Sequence, residues 1–117
     1  MPIAANVVIG VVAILHLGFL ALEIFLWNKP FGLRTFGMTK EVANASATLA
    51  ANQGLYNGFL AAGLMWGLWS NMLAVKVFFL ACVVVAGLFG GLTARRSILY
   101  VQALPGFLGL LLLALAR

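Results

Sequence analysis

Apolar residues dominate this chain in four long stretches, 3–27, 43–69, 72–92 and 97–116, separated by short polar breaks. Each stretch lies near the ~20 residues needed to cross a hydrocarbon core as an α-helix. None sustains the period-two alternation of a barrel strand, whereas helices satisfy their own backbone groups in lipid. The pattern therefore predicts an all-α fold, a transmembrane four-helix bundle. Its short turns make sequential helices antiparallel neighbours.

The connections differ in character. Residues 28–42 form the longest, with Pro30, Gly32 and Gly37 as breakers, and Phe31, Leu33 and Phe36 interleaved with Arg34. That mixture suits an interfacial loop. Thr39 followed by Glu41 reads as a helix N-cap with an acid in the first turn, so the second helix can begin near Lys40 and project beyond the membrane. The other turns are Ser70-Asn71 and Ala94-Arg95-Arg96. Small residues recur four apart at Gly54, Gly58 and Ala62, at Gly63 and Gly67, at Ala86 and Gly90, and at Gly87 and Gly91. Such runs let helix backbones pack closely in lipid and are compatible with a homo-oligomer.

Composition agrees. Hydrophobic residues make up 65% of the 117 positions and charged residues 8%, far below the ~25% charged residues of soluble domains. A single integral membrane domain, 1–117, is expected, with the lipid bilayer as its main partner. The formal charge of +5 does not imply nucleic acid, because the basic residues sit in the breaks and read as orientation signals. Lys29, Arg34, Lys40, Arg95 and Arg96 fall on one face and Lys76 and Arg117 on the other. That split predicts both termini outside the cytoplasm. Trp66 and Trp69 at one end, and Trp27 and Tyr100 at the other, mark aromatic belts. Met1 to Asn6 carries no Lys or Arg, and the apolar run continues to Trp27. The first stretch is thus expected to be a retained helix rather than a signal peptide. The lone Cys82 excludes an intrachain disulfide and reads as a small buried residue.

Candidate chemistry lies where polar groups interrupt apolar helices. His16 and Glu23 are seven apart on one face of the first helix. The second helix carries Asn52-Gln53-Gly54-Leu55-Tyr56-Asn57, which places Asn52 with Tyr56 and Gln53 with Asn57 in adjacent stripes. Gln102 precedes Pro105, whose missing N–H frees the Val101 carbonyl. Counted in depth, Glu23 should stand level with Asn52 and Gln53, and Gln102 at a similar level. His16 should stand near Tyr56 and Asn57. The expectation is a polar cavity opening to the cytoplasm, a ligand or proton site formed by His16, Glu23, Asn52, Gln53, Tyr56, Asn57 and Gln102. The same groups could instead bridge helices, and Glu23 could pair with Lys29, Arg95 or Arg96. Two ligands fall short of the three or four of a metal site, so no metal is expected.

His16, Glu23 with Trp27, the run Asn52-Gln53-Gly54-Leu55-Tyr56-Asn57-Gly58-Phe59-Leu60, Cys82-Val83-Val84-Val85-Ala86-Gly87, Thr93, and Gln102 with Pro105 together resemble a family of small bacterial membrane proteins, domain of unknown function number 1304. The resemblance spans essentially the whole chain, and the Asn-Gln-Gly-x-Tyr-Asn hexapeptide is its most specific piece. It implies a four-helix protein of the bacterial inner membrane and carries over no catalytic residue and no cofactor.

Three functions compete. The first is binding or transport of a small amphipathic molecule or ion; small multidrug transporters are analogous in length, helix number and a glutamate in the first helix, without a matching signature around Glu23. The second is a structural or accessory membrane subunit. The third is a membrane enzyme like the membrane glutathione transferases, with Arg34, Arg95, Arg96 and Tyr56 gripping a thiol cofactor, although no spacing matches well.

Overall fold

The structure, a computed structural model, describes residues 2–116. Arg117, counted above among the orientation signals, lies outside the described residues. Five α-helices follow one another: α1 (Pro2–Ile24), α2 (Pro30–Phe36), α3 (Lys40–Ser70), α4 (Leu73–Thr93) and α5 (Leu104–Leu115), with a π-helical segment (Leu99–Ala103) leading into α5. No strand occurs among the described residues. The fold is all-α. α1 from Ile3 and α4 are long and apolar enough to cross a membrane, while the π segment and α5 make a shorter apolar helix, Leu99–Leu115.

Two boundaries depart from the sequence reading. α1 stops at Ile24, three residues short of Trp27, and the expected interfacial loop 28–42 contains α2. Pro30 and Gly37, read as breakers, are its start and stop. Pro30 occupies the first turn, where a missing N–H costs nothing, and Gly37 ends the helix at φ 64° with its N–H on the Leu33 carbonyl. Gly32 is buried, and a Cβ there would stand 2.0 Å from the Leu26 carbonyl oxygen. α3 begins at Lys40, as Thr39 foretells: the Thr39 hydroxyl accepts the Val42 N–H at 3.2 Å, and its carbonyl accepts the Ala43 N–H at 3.0 Å.

The chain divides into two compact units, Leu15–Phe59 and the remainder, Met1–Ile14 with Leu60–Arg117. In the larger unit a buried apolar cluster joins Ala5, Ile9, Val12 and Ala13 of α1 to Leu64, Leu80, Val83 and Leu113 of the later helices. Glycines set how closely those helices pack. A Cβ at Gly87 would lie 2.6 Å from the Ala103 backbone nitrogen, and one at Gly63 would lie 2.3 Å from the Phe79 ring. The π segment carries Gln102, and the Leu104 N–H reaches back five residues to the Leu99 carbonyl. This wide turn falls where Pro105 disrupts ordinary helix bonding.

In the smaller unit α1 and α3 meet through Gly54 and Gly58, whose absent side chains leave room for Leu20, Glu23 and Ile24. Below this seam the Trp27 indole donates to the Ser46 hydroxyl at 3.0 Å, and the Asn28 amide donates to Asn44 Oδ1 at 3.0 Å. Trp27 also packs on Phe36 of α2, ring centroids 4.9 Å apart. The Gly54–Gly58 and Gly63–Gly67 runs are thus occupied by packing within the chain.

Candidate functional site

The structure brings two of the sequence-predicted residues directly together. Glu23, in the last turn of α1, accepts a hydrogen bond on Oε1 from the Asn57 side-chain amide of α3 at 2.5 Å. Gly54, one turn earlier on α3, makes this possible by letting the α1 backbone come close: its Cβ position is 3.1 Å from Glu23 Cβ and 3.3 Å from the Leu20 carbonyl oxygen. The register differs from the expected one by about a turn, since Asn57, rather than Asn52 or Gln53, stands opposite Glu23.

Both side chains are half-buried. A neutral amide donor holds the carboxylate in place without cancelling its charge. Within its unit, the partner of the Glu23 carboxylate is the Asn57 amide. One amide bond uses one lone pair, and a carboxylate has about four such sites.

His16 is fully buried, with its ring edge-on to Phe19 at 5.1 Å. It lies seven residues before Glu23, roughly 10 Å along the helix axis. Asn52 and Gln53 are exposed, as is Tyr56, whose ring meets Phe59 at 5.8 Å between centroids. Gln102 belongs to the larger unit, where its amide makes a long contact of 3.4 Å with the Val83 carbonyl oxygen. Arg34, Arg95 and Arg96, weighed for a thiol cofactor, are all exposed, and Cys82 is half-buried. A groove of about 520 Å³ in the larger unit, lined by Val8, Val11, Pro105 and Phe107 among others, contains none of the predicted polar residues.

Sequence reasoning missed a second charged cluster. Lys76, counted as an orientation signal, is 5% exposed. Its ammonium donates to Asn6 Oδ1 of α1 at 2.9 Å and to Asn71 Oδ1 of the α3–α4 turn at 2.8 Å. The available signal was a lysine in the first turn of an apolar helix, with an asparagine five residues before it.

Comparison with known proteins agrees with the resemblance carried by the motifs. A family described as proteins of unknown function, DUF1304, matches residues 10–114. A protein of Lactococcus lactis subsp. lactis (strain IL1403), described as uncharacterized protein YpaA, is 34% identical over 98 residues, covering 80% of this chain and 78% of its own. No solved structure matches. With the family match reaching into every helix from α1 to α5, the chain belongs to the DUF1304 family.

Proposed function

We propose that this chain is a small integral membrane protein that binds a small amphipathic cation at Glu23. The membrane assignment draws support from how little of the two apolar helices the protein itself covers: 22% of the apolar stretch of α1 is buried and 28% of that of α4. A soluble protein keeps such helices inside, because water gives exposed Ile14, Phe78, Phe89 and Leu92 no favourable surroundings. In lipid the same exposure is free of that cost. α3 and the Leu99–Leu115 helix complete four crossings. Exposed Lys29, Arg34, Lys40, Arg95 and Arg96 between the crossings favour a cytoplasmic position for those connections, with both termini outside.

One observation carries the functional reading. Glu23 sits inside an apolar helix, fixed by the neutral amide of Asn57. A carboxylate in a membrane helix costs about 3 kcal/mol at the centre and less toward the edge, and such groups mark ligand or ion paths. Asn57 fixes one oxygen and leaves the other for a cation. A structural role, with the Glu23–Asn57 bond tying α1 to α3, is the second reading, and the close Gly54 contact favours it.

Calorimetric titration of the detergent-solubilised chain with tetraphenylphosphonium separates the two. Saturable binding that weakens at least tenfold in Glu23→Gln, with helicity unchanged, is the expected result. Absence of saturable binding, or equal affinity in the variant, contradicts the proposal and leaves the structural role.

A further inference from the structure

The short helix α2 has two unlike sides. Gly32, Leu33 and Phe36 are turned toward the protein: Gly32 is buried, the other two are half-buried, and the Phe36 ring packs on Trp27. A Cβ at Gly32 would run into the Leu26 and Trp27 carbonyl oxygens, so this glycine lets α2 fold directly onto the chain leaving α1. The Trp27 indole is tied in turn to the Ser46 hydroxyl of α3. At about 100° per residue, Pro30, Phe31, Arg34 and Thr35 fall on the opposite side of α2, and all four are exposed. The packing thus holds one outward face in a fixed orientation.

That face mixes groups that want different solvents. Phe31 is 52% exposed, which water penalises. Arg34, less than a turn away, carries a guanidinium that hydrocarbon penalises. One depth suits both: in the headgroup layer the ring sinks toward the acyl boundary and the cation stays among the phosphates. The place of α2 in the chain meets that condition, since the apolar stretch of α1 ends at Ile24 and α2 begins at Pro30. Charge narrows the choice of surface. Lys29 at the N-cap of α2 and Lys40 at the start of α3 are exposed along with Arg34, and across 25–42 these three cations stand against one acid, Glu41. A zwitterionic headgroup has no net charge to answer that excess, and an anionic one does.

We propose that α2 is a docking surface for anionic phospholipid headgroups, with Lys29 and Arg34 on the phosphates and Phe31 set among the glycerol and upper acyl groups. Arg34 brings a planar fork that meets two phosphate oxygens at once, and Lys29 brings a point charge. Lys40 adds to the attracting field. This reading rests on the membrane assignment made above and uses none of the residues of the Glu23 site.

Trp27, stacked on Phe36, reports lipid at α2. The full chain carrying Trp66→Phe and Trp69→Phe keeps Trp27 as its one indole. It is reconstituted in bilayers doped with equal amounts of brominated phosphatidylglycerol or brominated phosphatidylcholine, and quenching is compared. Phosphatidylglycerol is expected to quench more strongly, with a preference of about fivefold, the factor one basic residue near an anionic surface contributes. Lys29→Gln combined with Arg34→Gln is expected to bring the preference close to one, and Arg95→Gln combined with Arg96→Gln, in the other unit, to keep it. High salt is expected to lower the preference without any substitution at α2. Equal quenching by the two lipids overturns the proposal. So does a preference that ignores salt, survives the α2 substitutions, or falls equally in the Arg95 and Arg96 variant. Quenching by neither lipid overturns the membrane assignment along with it, so the two failures are told apart.

Discussion

Two charges sit within the apolar helices of this protein, and asparagine holds both. At Glu23 the Asn57 amide donates; at Lys76 the Asn6 and Asn71 carbonyls accept. The same side chain serves an acid and a base because it carries a donor and an acceptor on one rigid plane. The settings differ more than the partners do. Lys76 is enclosed and held twice, whereas Glu23 is half-buried and held once. Removing the first leaves two oriented carbonyls and a gap. Removing the charge of the second leaves a side chain of the same shape that still bonds to Asn57. Lys76 should therefore matter to stability, and Glu23 chiefly to binding.

The sharpest way to break this contrast is Lys76→Ala. It empties the space beside Gly67 and strands the Asn6 and Asn71 oxygens, so a loss of about 3 kcal/mol is expected in reversible unfolding by denaturing detergent. A loss no larger than that of Glu23→Gln would erase the distinction between the two sites.

The glycines around Glu23 give intermediate effects. In Gly54→Ala the new methyl meets Ile24 Cγ1 at 2.8 Å with the Leu20 carbonyl 3.3 Å behind it, so the seam must open. A cost of about 1–3 kcal/mol follows from overpacking. Gly58→Ala meets only the flexible tip of Leu20, Cδ1 at 2.8 Å, and should cost less than about 1 kcal/mol. Thermal unfolding of the pair checks the order, and a reversed order would contradict the described register of α1 on α3. The smallest change belongs to Asn57→Leu, which removes one interhelical hydrogen bond worth about 0.6 kcal/mol in membrane proteins. Its effect on cation affinity should exceed its effect on stability.

The long elements were legible because hydrophobicity is continuous along them. α1 and α4 emerge from the sequence within a few residues, and the Thr39 cap places the start of α3. α2 was not legible: seven residues with Pro30, Gly32 and Gly37 look like a broken loop, and the order of proline first and glycine last is the only local trace of the helix. The polar residues were easy to find and hard to assign. A difference of one turn in register exchanges Asn52 for Asn57 opposite Glu23, and stripe arguments fix a face rather than a level. Lys76 was misplaced for a related reason. A lysine near the end of an apolar helix reads the same whether it reaches outward to water or inward to Asn6, and that choice depends on a contact seventy residues away.

The central claim, that Glu23 is held in place by a neutral amide and binds a cation, is tested most directly by native mass spectrometry of the full chain released from mild detergent with tetraphenylphosphonium present. The account predicts a bound cation on the wild type and on Lys76→Met, and its loss in Glu23→Gln. Retention of the cation by Glu23→Gln at the wild-type level would contradict it.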